Sequence, residues 1–125
     1  MQLLRSAKKD MNMRMKNWIY LGLITMNIML TSAVWADSAE YKIIIKDHQF
    51  LPAAFTIPAN QKVKLVIENQ DPTPEEFESY ELNREKVISG NGKGIVFIGP
   101  LKPGQYKYFG DFHQDTAQGT IVVKE

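Results

Sequence analysis

Residues 48–71 read HQFLPAAFTIPANQKVKLVIENQD, and the second half of this stretch decides the fold class. From 61 to 69, Val63, Leu65 and Ile67 fall on one face, while Lys62, Lys64 and Glu68 fall mostly on the other. A period of two over this length predicts a half-buried β-strand. Upstream, Pro52 and Pro58 limit where a hydrogen-bonded ladder can run, which predicts a short edge strand over 54–57. Downstream, Asp71-Pro72-Thr73-Pro74 forces a turn.

Working outward, 41–47 (YKIIIKD) is β-branched and predicts a first strand. A brief extended piece is expected over 76–78 and a turn of helix over 81–87, where Arg84 and Lys86 offer partners to the acids. Strands are expected at 93–98, 105–109 and 120–124, separated by the loop 89–92, the turn 99–104 and the polar loop 110–118. Short strands at this spacing with turn residues between them predict an all-β sandwich of about seven strands with one short helical turn.

The first 36 residues read differently. Arg5, Lys8, Lys9, Arg14 and Lys16 stand against Asp10 alone, and an uncharged run follows from 18 to 30. Val34 and Ala36, two apart, fit the small residues of a signal-peptidase site. The run is shorter than the ~20 residues that a membrane-spanning helix needs. Residues 1–36 are therefore expected to be a signal peptide, and 37–125 the exported domain. That domain holds 10 Lys and Arg against 13 Asp and Glu, a net charge of −3. The basic excess belongs to the leader, so composition speaks against a nucleic-acid partner. All six methionines lie at or before Met29 and the chain has no cysteine. The domain must hold by packing without disulfides, and it can offer a metal neither thiolate nor thioether.

What it can offer is carboxylate and imidazole. The segment TPEEFESYE, 73–81, carries Glu75, Glu76, Glu78 and Glu81, and DFHQD, 111–115, carries Asp111, His113 and Asp115. On an extended backbone Glu76 and Glu78 share one face across Phe77, and Asp111, His113 and Asp115 share another. Two carboxylates about 6 Å apart repel by roughly 3 kcal/mol at an effective dielectric of 20, so a cation should offset them. Arg84 and Lys86 can do so without a metal, a metal ion can do so as well, and the two need not compete. The second histidine, His48, stands after Asp47 at a strand end, where a turn or packing role competes with ligation. Oxygen donors with one or two imidazoles suit iron, manganese, copper(II) or zinc and disfavour copper(I). No nucleophile elbow, Cys–His pair or phosphate-cradling glycine loop is present.

With these residues in view, HQFLPAAFTIPANQKVKLVIENQD resembles the opening of a cupredoxin-like domain, and LKPGQYKYFGDF (101–112) with GTIVVKE (119–125) resembles its last two strands. The resemblance implies a Greek-key β-sandwich. PEEFES (74–79), LNREKV (82–87) and FHQDTAQGT (112–120) resemble a bacterial periplasmic subgroup associated with high-affinity iron permeases. That implies a periplasmic protein binding iron or copper(II), which delivers ferrous iron to, or oxidises it beside, an inner-membrane permease and other uptake components. Glu76, Glu78 and His113 are then the first-choice ligands, with Asp111 and His48 secondary. The chain departs from a blue-copper pattern. Glu75 and Glu76 stand where the first His would fall, and Phe109 or Gly110 where Cys would stand. A type 1 copper electron carrier is thereby excluded. The competing expectation is a metal-free interaction module that docks on a periplasmic or membrane partner.

Overall fold

Alternation becomes architecture through two sheets. The computed structural model describes residues 37–125, and the expected signal peptide, 1–36, lies outside the described residues. Among the described residues there are nine strands: β1 (Ala39–Lys46), β2 (Gln49–Leu51), β3 (Ala54–Pro58), β4 (Val63–Asn69), β5 (Glu75–Ser79), β6 (Arg84–Ile88), β7 (Lys93–Ile98), β8 (Gly104–Gly110) and β9 (Gln118–Lys124). One sheet has the order β2-β1-β4-β7 and the other β3-β9-β8-β5-β6. The all-β sandwich is as expected; β2 and β6 raise the count from about seven to nine.

The strand expected at 61–69 is β4. Val63, Leu65 and Ile67 are buried, and β4 lies between β1, parallel to it, and β7, antiparallel. From the other sheet Phe77, Tyr108, Ile121 and Val123 face this layer. Phe50, Phe77 and Tyr108 form an aromatic cluster at the centre, with ring centroids 5.0 to 6.2 Å apart. Their burial contributes more than area alone, because edge-to-face and offset pairs add about 0.5–1.5 kcal/mol each.

Two local expectations are corrected. No helical turn forms over 81–87. Asn83, at φ 50°, closes a four-residue loop after β5, and the chain returns antiparallel as β6 with Ser79 opposite Arg84. Asn tolerates the left-handed region that such a reversal needs, so turn chemistry outweighs helical charge spacing here. Among the described residues the one helical turn is instead a 3-10 turn at Asp111–His113. Asp111, His113 and Asp115 therefore do not share one extended face.

Candidate metal centre

Three segments meet at one end of the sandwich. The first is the turn between β1 and β2. Lys46 pairs with Gln49, leaving Asp47 and His48 as a two-residue loop with φ of 53° and 57°. Positive φ at both central residues is the type I′ geometry that suits the twist of a hairpin. It places His48 at the tip. The Thr116 hydroxyl donates to the His48 carbonyl at 2.7 Å, tying this tip to the loop before β9.

The second segment is the start of β5. Glu75, Phe77 and Ser79 point inward and Glu76 and Glu78 outward. Phe77 belongs in the core, so period two carries Glu75 in with it, to 1% exposure. A buried carboxylate must be hydrogen-bonded to be tolerated. The backbone N–H groups of Glu76 and Phe112 both donate to Glu75 Oε1, at 3.0 Å each. Glu75 Oε2 lies 2.6 Å from His113 Nδ1. Room for this carboxylate comes from Gly110, where a Cβ would lie 2.6 Å from Glu75 Cδ and 2.7 Å from Ala117 Cβ.

The third segment is the 3-10 turn. The N–H groups of Thr116 and Ala117 donate to the His113 carbonyl, and the Gly110 N–H donates to the Ala117 carbonyl. Those bonds close the loop and aim His113 at Glu75. The rings of His48 and His113 stack with centroids 3.6 Å apart and planes 13° from parallel. Donor atoms of His48, Glu75 and His113 all lie within 4.8 Å of one another.

The expected ligands are thus divided. His48 and His113 come together, joined by Glu75, which the sequence reading had not ranked among the ligands. Glu76 and Glu78 lie on the outer face of the second sheet with Glu85, in a separate cluster within the same 4.8 Å limit. Partial desolvation, then the charges of Glu85, Glu76 and Asp111, hold the Glu78 carboxyl above its ordinary range. Arg84 does not relieve them. Its Nε donates to the Phe97 carbonyl at 2.9 Å and its Nη1 to the Asn83 carbonyl at 2.8 Å. Lys86 pairs with Phe77 on the opposite side of the strand pair. Asp111 Oδ1 accepts from Gln114 Nε2 at 2.8 Å. The aromatic at 77 was the available indication for Glu75, since residues two apart share a face.

With the fold and this geometry established, the chain belongs to the cupredoxin-like domain family, whose model matches residues 19–123. It is 51% identical over 86 residues to an uncharacterised protein of Rickettsia prowazekii (strain Madrid E), an alignment covering 69% of each chain. Among solved structures it is similar to auracyanin A, a blue copper protein of Chloroflexus aurantiacus, with a TM-score of 0.61 and 16% identity, over 70% of this chain and 99% of that one. It is also similar to the metal binding domain of the Cu(I) exporting P-type ATPase of Streptococcus pneumoniae D39, with a TM-score of 0.62 and 14% identity, over 69% and 85%. Amicyanin from Paracoccus versutus gives 0.53 and 20%, over 74% and 86%. At these identities the likeness is one of fold.

The donor chemistry is a separate test. With neither Cys nor Met after residue 29, the site has no soft ligand, so a type 1 copper centre or a Cu(I) site does not fit these residues. Two imidazoles and a carboxylate do fit copper(II), iron or zinc. Imidazole lone pairs lie in the ring plane, and in a near-parallel stack they run side by side. Binding one ion through both rings therefore requires at least one ring to turn.

Proposed function

We propose that this domain binds copper(II) or iron at the His48–Glu75–His113 cluster, with the two imidazoles as ligands and Glu75 holding His113 by its Nδ1, as a periplasmic metal-binding accessory of an iron-uptake system that delivers iron to an inner-membrane permease. The observation that carries the binding reading is the convergence of two imidazoles and a buried carboxylate from three separate segments. A core-facing carboxylate contributes little to packing, and this one is held in hydrogen-bonded contact with His113. Support for iron comes from the resemblance of 74–79, 82–87 and 112–120 to iron-permease-associated proteins. Support for copper comes from the fold, which this chain shares with copper proteins such as auracyanin A. Bound there, the ion would supply a Lewis-acidic, redox-active centre. The proposal is for binding and delivery, because one-electron oxidation of ferrous iron requires an acceptor beyond the residues named.

Calorimetric titration of the protein with Cu(II), Fe(II) and Fe(III) tests this. Saturable one-ion binding is expected, weakened by at least about tenfold in His113→Ala and Glu75→Gln and unchanged in Glu76→Ala. Absence of saturable binding of all three ions below about millimolar concentration overturns the reading.

A further inference from the structure

Asp71 lies outside the three-residue donor cluster, yet it grips the His48 turn. The Asp47 N–H donates to Asp71 Oδ1 at 2.8 Å and the His48 N–H to Asp71 Oδ2 at 2.9 Å. The same Oδ2 faces His48 Nδ1 at 3.5 Å. Asp71 is only 7% exposed and is itself braced. Its N–H donates to Asn69 Oδ1 at 3.0 Å, and its carbonyl accepts from the Asn91 N–H at 2.8 Å. The Asn69 amide donates in turn to the carbonyls of Thr73 and Ile88.

This arrangement repeats what Glu75 does for His113. In both pairs two backbone N–H groups hold a carboxylate in place, and the carboxylate faces the Nδ1 of an imidazole. The difference is distance, 2.6 Å for His113 and 3.5 Å for His48. A carboxylate on Nδ1 fixes the tautomer and leaves Nε2 as the metal-facing atom, the usual outer arrangement behind a ligating histidine. The stacked rings cannot both meet an ion without rotation. A turn of the His48 ring that closed the 3.5 Å gap would make the Nδ1–H···Asp71 bond.

We infer that Asp71 is a positioning residue of the metal centre, which holds the His48 turn in place and directs His48 Nε2 to the ion. The inference rests on His48 and His113 both being ligands. Because Asp71 acts through His48, its removal should matter only while His48 is present.

The test uses the full chain with Cu(II) as the probe, in a cycle of Asp71→Ala, His48→Ala and the double variant. Affinity is read by calorimetry, nitrogen ligation by electron paramagnetic resonance and folding by thermal melting. Asp71→Ala should weaken Cu(II) binding by about 10–100-fold and reduce the imidazole-nitrogen pattern from two to one, as His48→Ala does. In the His48→Ala background the same change should alter affinity by less than about threefold. Asp71→Asn is the second variant should Asp71→Ala melt too low to titrate. It keeps one acceptor for the turn, presents an N–H where His48 Nδ1 needs an acceptor, and should show the same loss. Equal losses in both backgrounds, or a retained two-nitrogen pattern, overturn the role of Asp71 while leaving the metal centre intact. A wild-type protein that takes up no Cu(II), Fe(II) or Fe(III) removes the metal centre and this inference together.

Discussion

Gly110 and Glu75 occupy one space between them. A side chain at 110 would start 2.6 Å from the Glu75 carboxyl carbon and 2.8 Å from Oε1, and the carboxylate has two backbone donors holding it there. Gly110→Ala should therefore displace Glu75, break its contact with His113, and weaken Cu(II) binding at least about tenfold. Overpacking of this kind costs typically about 1–3 kcal/mol of stability as well. Calorimetry and a denaturant melt on the same variant check both figures. The resemblance puts Phe109 or Gly110 where a cupredoxin relative would supply a thiolate. The structure shows that the missing side chain is the space in which a carboxylate now sits.

At the scale of elements, the β5–β6 hairpin carries two populations of acid on its two faces. Glu75 is inward and fully hydrogen-bonded, while Glu76, Glu78 and Glu85 crowd the outer face, with Glu78 directly across from Glu85. The raised Glu78 carboxyl means that the folded protein disfavours its ionised form. The sign follows. Below its ordinary value of 4.5 Glu78 is protonated whether the chain is folded or unfolded, and it exerts no penalty. As pH rises through the folded value, ionisation costs stability. Glu78→Gln should thus raise Tm at pH 7, with the gain vanishing as pH falls below 4.5, as measured by thermal melts across that range. An equal gain at all pH values would show that charge is not the cause. Period-two alternation already separates these acids into two sets. It does not say which set faces the core, and the aromatic at 77 resolves that once β5 is accepted as a buried strand.

At the scale of the whole molecule, the site depends on two sheets held in register by packing alone. Phe77 is fully buried, contacts Phe50 and Tyr108, and is the inward neighbour of Glu75 on the same strand face. Phe77→Ala should cost about 3–5 kcal/mol in denaturant unfolding. With no disulfide to limit the loss, that is a large share of the about 5–15 kcal/mol typical of a folded domain. In any fraction that stays folded, metal affinity should fall too, because the cavity loosens the face that carries Glu75. Val87, at the same hairpin but half-exposed, provides the comparison: Val87→Ala should stay within about 0.5 kcal/mol of wild type.

The strands at 61–69, 93–98 and 105–109, the turns between them and the absence of soft metal ligands all follow from residue order and composition, because alternation, proline and side-chain chemistry are local properties. The meeting of His48 with His113 is not local. It arises because β1 pairs with β4 in one sheet while β5 pairs with β8 in the other, which brings the β1–β2 tip to the end of β8. Residue order likewise marks Asp111–His113 only as part of a polar loop, with a shared face if extended; closure of the Gly110–Ala117 loop makes it a 3-10 turn. Residue order alone assigned Glu76 and Glu78 to one face. Only tertiary packing turned that face to solvent and buried Glu75 against His113, because the core takes Phe77 and the strand's period carries its neighbours with it.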